Sequence, residues 1–352
     1  MNGLRTAACD LFGTEVPIVQ TGMGWVAGAR LVSATANAGA LGILASATMT
    51  LPELERAVHA VKERTDRPFG VNLRADAEDA PERVQLLIRE GVKVASFALA
   101  PREEQIKTLK DAGVRVVPSI GARRHAEKVA AWGADAVVVQ GGEGGGHTGA
   151  VATTLLLPQV VDAVDIPVIA AGGFFDGRGL VAALAYGAAG VAMGTRFLLT
   201  QESTVPDSVK QYYLGRAVAD TVVTSRIDGV PHRVLRTDLV DGIERGNAVT
   251  GLPRAIKNAF AFKRMSGTSW RGMIREGLAM RREGGLAWTQ VALAANTPML
   301  LKAGLVDGRL DAGVLSSGQA VGVIDDLPTV AELVDRIMTE ASETLKRLGD
   351  YS

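Results

Sequence analysis

Short apolar runs alternate with longer stretches whose apolar positions recur every three or four residues, from the start of the chain to about residue 200. The short runs predict strands over 17–20, 41–45, 69–73, 94–97, 115–119, 136–140, 167–171 and 190–194. The longer stretches predict helices near 28–38, 51–65, 81–90, 102–112, 122–132, 154–164 and 177–187. Leu54, Val58 and Val61 share one face of the second of these, with Glu53, Glu55 and Lys62 between them. Gly39, Gly91, Gly113, Gly133 and Gly187 follow five of the helices, where a left-handed residue commonly ends a helix. Eight strands joined by seven helices is the count of a closed (β/α)8 TIM barrel. An open doubly wound sheet would carry a glycine fingerprint after its first strand, and the glycines after Gln20 do not have that spacing.

Beyond residue 200 the pattern changes. Residues 205–315 carry no strand-like alternation and read as helices with loops, so a mainly helical lid over 201–315 is expected after the eighth strand of a barrel spanning 1–200. Residues 316–352 then return to the barrel through a small-residue loop, 315–322, and a helix near 328–348. Val330, Leu333, Val334, Ile337 and Met338 form the apolar face of that helix, which is expected to partner the eighth strand. Within the lid, Arg254, Lys257, Lys263, Arg264, Arg271, Arg275, Arg281 and Arg282 face only Glu276 and Glu283. Such a run is either a solvated helical face or a cover that holds an anionic substrate.

Charge and composition narrow the classes. Lys plus Arg and Asp plus Glu are 38 each, which leaves no overall basic field for nucleic acid. Cys9 is the only cysteine, and the first ten residues hold no apolar run of signal-peptide length. The longest apolar stretch, 151–171, is broken by Pro158, Asp162, Asp165 and Pro167, so no membrane span is expected. A cytoplasmic protein is the expectation, with a homodimer formed through apolar outer helices.

The candidate chemistry gathers at the predicted C-terminal strand ends, where barrels of this class carry their sites. The sixth strand runs into Gln140-Gly-Gly-Glu-Gly-Gly-Gly-His-Thr-Gly149, six glycines in nine residues after the strand. Backbone bare at Gly145, Gly146 and Gly149 can approach a flat ligand that a Cβ would keep away. His147 in this setting reads as a group for chemistry on a bound cofactor. His59 and His125 lie on predicted outer helices; His232 belongs to the lid side, where it can reach substrate. Ala171, Gly172 and Gly173, together with Gly194 and Thr195, end the last two strands in exposed main chain, a phosphate cradle that needs no basic side chain. With the amides Asn72, Gln140 and Gln319 near the axis, a mononucleotide with a polar ring edge is indicated, and FMN fits. No His, Asp, Glu and Cys cluster stands at ligand spacing, so no metal is expected.

These motifs carry a resemblance. Val139-Gln-Gly-x-Glu-x-Gly-Gly-His-x-Gly149, Ile169-Ala-Ala-Gly-Gly173, Gly190-Val-x-Met-Gly-Thr-Arg-Phe197 and Gly318-Gln-x-x-Gly322 resemble the nitronate monooxygenase superfamily, which includes flavin-dependent enoyl-thioester reductases. The resemblance spans about 15–325. It implies FMN in a barrel with a helical lid, His147 as acid or base beside the flavin, and FMN contacts from Gly22, Met23, Asn72, Gln140, Gly146, Gly173, Gly194, Thr195 and Gln319. Two departures point away from small nitronates. Gly22-Met23 stands where many members read Pro-Met, and the only tyrosines are Tyr186, Tyr212, Tyr213 and Tyr351. The runs Gln20-Thr-Gly-Met-Gly-Trp-Val-Ala-Gly-Ala-Arg30 and Ala294-Ala-Asn-Thr-Pro-Met-Leu-Leu-Lys-Ala-Gly304 look nearer to actinobacterial members of the IpdC type, flavoproteins of steroid ring C/D catabolism. That resemblance implies dehydrogenation of a bicyclic CoA thioester, with Arg264, Arg271, Arg275 and Arg282 gripping the CoA phosphates. The other readings are a nitronate monooxygenase, an NAD(P)H-dependent quinone or enoyl-thioester reductase, and a flavin binder without activity.

Overall fold

The computed structural model describes residues 4–98, 101–227, 229–245 and 297–350. Eight parallel strands close into a barrel: β1 Ile18–Gln20, β2 Leu41–Ala45, β3 Gly70–Leu73, β4 Val94–Phe97, β5 Arg115–Ile120, β6 Val137–Gln140, β8 Val168–Ala171 and β9 Gly190–Met193. Closure is made by β9 against β1, with Ile18 opposite Val191 and Gln20 opposite Met193. All four residues of β3, β4, β8 and β9 are buried, as strands covered on both faces must be.

Alternate residues turn inward and fill the cylinder. Val19, Leu41, Ile43, Val94, Val117, Val138, Ile169 and Ala192 form one cluster there, and Ala8 and Phe12 of the short helix Ala7–Phe12 join it. The Thr6 hydroxyl donates to Ala189 O, just before β9, so this helix stops the N-terminal end of the barrel. The predicted left-handed helix ends are present at Gly39, Gly91, Gly113, Gly133 and Gly187. The C-terminal helix Val330–Gly349 buries Val330, Leu333, Val334, Ile337 and Met338. It packs on the helix Gly177–Ala185 so closely that a Cβ on Gly177 would lie 2.3 Å from Ala341 N. It therefore supplies the eighth outer helix.

The expectation of no strands in 205–315 is overturned. Helices do form at Asp207–Leu214, Asp238–Arg245 and Thr297–Leu305, but β10 Thr221–Thr224 and β11 His232–Leu235 form an antiparallel hairpin. A third strand, the two-residue β7 Gly146–His147, adds to β11 from inside the glycine-rich loop. Runs of four residues give too little alternation to read alone; these strands exist because each is paired by another segment. The basic run 254–282 lies outside the described residues, as do Arg264, Arg271, Arg275 and Arg282. Among the described residues no helix is long and apolar enough to cross a membrane.

Candidate active site

The strand ends form a rim of main chain, amides and hydroxyls, held by contacts that run from one loop to the next. At β1, Gly22 packs on Asn72: a Cβ on Gly22 would lie 2.5 Å from Asn72 Cβ. Asn72 is 8% exposed and donates from Nδ2 to Ser96 Oγ at 3.3 Å. Met23 faces Gly194, whose Cβ would sit 3.5 Å from the Met23 sulfur. The loop from Thr21 to Trp25 ends in a residue with φ of 67°, a conformation costly to a tryptophan. Its indole donates to Pro298 O at 3.1 Å, which fastens this loop to the segment that returns after the lid.

At the ends of β8 and β9 the glycines need positive φ or close approach. Gly172 and Gly173 have φ of 95° and 85°, and a Cβ on Gly172 would press on Gly141 O at 3.0 Å. Ala171 pairs with Ala192, so the ends at Gly172 and Gly194 are neighbours. The Thr195 hydroxyl accepts from Gly318 N at 2.9 Å, and Gln319 N donates to Glu143 O at 2.9 Å. That places Gln319 between the β6 loop and the end of β9.

The loop after β6 is the most constrained piece. Gln140 Nε2 donates to His147 O at 2.8 Å, so one end of this amide holds the loop on itself. Gly145 lies against the 317–318 backbone, where a Cβ would meet Gly318 N at 2.5 Å. Gly146 has φ of 75° with nothing within 4 Å of its would-be Cβ. Glu143 turns its carboxylate onto Thr153 N, at 3.0 Å, and Thr153 Oγ1, at 2.7 Å. The loop's own anionic group is thus engaged at the start of the helix Thr153–Val161, which favours negative charge there. With Glu143 engaged, the rim consists of glycine main chain, the Asn72 and Gln140 amides and the Thr195 hydroxyl, none of which carries charge. A phosphate and a ring edge with several acceptors fit this donor set.

Two residues that sequence reasoning passed over secure the arrangement. Arg233 on β11 donates from Nε and Nη2 to Gly142 O at 3.1 and 2.8 Å, and from Nη1 to Thr221 Oγ1 at 2.9 Å. Burial pulls its guanidinium below the ordinary value, while the charge of Glu143 opposes that. Ser316 makes the other link. Its carbonyl accepts from Tyr213 OH at 2.8 Å, and its hydroxyl stands 2.7 Å from His232 Nε2. Complete burial pushes the Tyr213 phenol well above its usual range, which keeps it a donor. Neither Arg233 nor Ser316 has a sequence signal beyond its type, because the hairpin that brings both inward was not legible.

His147 is exposed on β7 and stands opposite His232 in the β7–β11 register. Their ring centroids are 4.7 Å apart at an interplanar angle of 51°. His232 is only 2% exposed, so it lies behind His147 rather than on the open rim where the lid-side expectation put it. His59 lies on an outer helix, where Glu55, His59 and Glu90 offer three ligand atoms within 4.8 Å of one another. Glu90 already takes Lys62 Nζ at 2.9 Å and His59 Nε2 at 3.0 Å, and Glu55 takes Arg89 Nη2 at 2.5 Å. That trio is an ion-pair network on the barrel's flank.

Comparison with known proteins agrees with this geometry. A family model described as nitronate monooxygenase matches residues 5–340. A Rhodococcus jostii protein named (3aS,4S,5R,7aS)-5-hydroxy-7a-methyl-1-oxo-octahydro-1H-indene-4-carboxyl-CoA dehydrogenase is 65% identical over 349 residues, 99% of each chain. A Mycobacterium tuberculosis protein of the same name is 67% identical over 341 residues, 96% of each. Among solved structures, FabK from Thermotoga maritima superposes with a TM-score of 0.82 at 34% identity, covering 99% of this chain and 100% of that one.

Proposed function

This chain belongs to the nitronate monooxygenase family of oxidoreductases, and from that premise we propose that it dehydrogenates a bicyclic, indane-type CoA thioester of steroid ring C/D breakdown. Enzymes of this family are in general flavin (FMN) dependent. The neutral rim would hold FMN. Gly172, Gly173, Gly194 and Thr195, with Ala171 behind them, would receive its phosphate; Gly22, Met23, Asn72, Gln140, Gly145, Gly146, Gly149 and Gln319 would line its ring. When bound, FMN supplies a two-electron acceptor. The observation that carries the reading is the exposed imidazole of His147, on a short strand inside the glycine-rich loop that follows β6.

The chemistry asked of His147 is proton removal from the carbon next to the thioester carbonyl. That C–H is acidified by the carbonyl, and an imidazole nitrogen placed within reach can take its proton as a general base. The glycines around it matter because they let substrate and ring lie close to main chain on one side. Arg264, Arg271, Arg275 and Arg282 would grip the phosphates of CoA, which suit guanidinium's paired donors. Replacing all four with glutamine should raise KM for an acyl-CoA about tenfold or more, the equivalent of one lost charge-assisted hydrogen bond. An unchanged KM would remove them from the site. A cytoplasmic homodimer completes the reading, and light scattering tests the dimer.

Anaerobic stopped-flow mixing of the FMN-loaded protein with indane-type CoA thioesters, a nitronate and NAD(P)H tests the function. Bleaching of the flavin by the thioester, with a product two mass units lighter, is the expected result. Bleaching by NAD(P)H or turnover of nitronate alone would replace it with the reductase or monooxygenase reading.

A further inference from the structure

The buried imidazole behind His147 is built into the fold more firmly than a chance neighbour. His232 and His147 are register partners across β7 and β11, so their side chains leave the same face of the small sheet. Behind His232 stands the Ser316 hydroxyl, and Ser316 is itself held twice, by an isolated bridge to Val234 and by the Tyr213 phenol on its carbonyl. Tyr213 is fully buried on the helix Asp207–Leu214. A continuous line thus runs from the apolar interior of the region after β9, through Tyr213, Ser316 and His232, to the exposed ring of His147. β7 is only two residues long and follows Gly144 and Gly145, so a side-chain neighbour can decide the plane of that ring.

We infer that His232 is a positioning residue for the His147 imidazole: anchored on Ser316, it sets the orientation of the ring that takes the substrate proton. The inference rests on the function proposed above for His147. An acid–base group misplaced by a fraction of its rotamer freedom transfers its proton badly, while substrate contacts elsewhere are untouched. His232→Ala should therefore lower the rate of flavin reduction by acyl-CoA about 10- to 100-fold, with KM and FMN content held within about twofold. His232→Gln, whose amide can still reach Ser316 in place of Nε2, should recover most of the loss. Ser316→Ala should fall between the two.

The decisive measurement is a cycle in the FMN-loaded protein. In a His147→Ala background, adding His232→Ala should cost nothing more, because His232 acts through His147. Multiplicative losses in the double variant would overturn the inference, as would equal damage from Ala and Gln. Histidine-selective NMR separates this from the function itself. His147 ring signals should shift and broaden in His232→Ala whether or not any thioester is turned over. Unmoved His147 signals sink the positioning role. Moved signals in a protein whose flavin no thioester bleaches sink the proposed function alone.

Discussion

The two halves of the barrel end their strands in opposite ways. From β1 to β4, Gln20, Ser46, Asn72 and Ser96 are all buried polar side chains at or near the strand ends. Several are bonded to one another and to adjacent main chain: Gln20 Nε2 donates to Ile43 O at 3.2 Å, Ser46 Oγ to Asn72 O at 2.6 Å, and Asn72 Nδ2 to Ser96 Oγ, while the buried Gln20 Oε1 has no partner among the described residues. Arg83 reaches over to Ser46 O at 2.9 Å and Met49 O at 2.6 Å. From β6 to β9 the strands end in glycine, bare backbone and His147. The first half packs as a polar floor, and Gly22, Met23 and Asn72 bring it to the rim. The second half ends its strands in bare glycine main chain, where a ligand can come closest to the backbone. A barrel mouth admits a flat ligand on the side whose strand ends carry no side chain.

The contrast can be broken most sharply at His147. His147→Ala should slow flavin reduction by acyl-CoA roughly 10²–10⁴-fold, the usual worth of a positioned base, while the flavin spectrum stays. A change below about threefold would dissolve the case for this half. Next come the glycines. Gly145→Ala drives a Cβ to 2.5 Å from Gly318 N and 2.6 Å from Ser317 C, both backbone, so it should cost about 1–3 kcal/mol and much of the FMN affinity. Gly91→Ala, on an outer helix end at φ of 65° with open space around it, should cost about 1–2 kcal/mol for the left-handed conformation and leave FMN binding alone. Fluorescence titration of FMN and thermal melts of both variants make the comparison.

On the polar floor, Ser46→Ala leaves Asn72 O without that donor and should lower stability by about 1–3 kcal/mol, with kcat little changed. A large kcat loss would mean the floor takes part in chemistry. The smallest effect expected is on acid stability. Burial pushes the Asp326 carboxyl up, but hydrogen bonds from Arg336 and Arg196 outweigh it and hold the carboxyl below its ordinary range. The pair with Arg196, 2.8 Å at Nη1, ties the segment just past β9 to the start of the last helix. A lowered folded value means the stabilisation is present at neutral pH and is lost as pH falls through that value. Asp326→Asn should flatten the fall of melting temperature below about pH 4. An unchanged acid limb would show that this pair carries no such linkage.

Much of this was legible from residue order. The strands from 17–20 to 190–194 and the outer helices lie where period and glycine ends put them, because a strand covered on both faces and an amphipathic helix each leave a local signature. The glycine-rich loop, His147 and the ends of β8 and β9 could be named for the same reason. The hairpin of β10 and β11 could not. Four-residue strands owe their existence to pairing, and β7 reads as loop until β11 lies beside it. With the hairpin hidden, Arg233 and Ser316 have no visible task, and His232 reads only as a lid-side residue within reach of substrate. The bonds of Gln140 Nε2 to His147 O and of Glu143 to Thr153 were equally out of reach, since neither is visible in one dimension.

The sequence by itself determined the barrel, its order of elements and the glycine-rich strand ends, because periodicity and backbone freedom are local properties. Only the tertiary structure decided that His232 stands buried behind His147, that Ser316 and Tyr213 brace it, and that one half of the mouth is a polar floor. Those are pairings between residues as many as 103 apart (Tyr213 and Ser316), fixed by packing rather than by any neighbour in the chain.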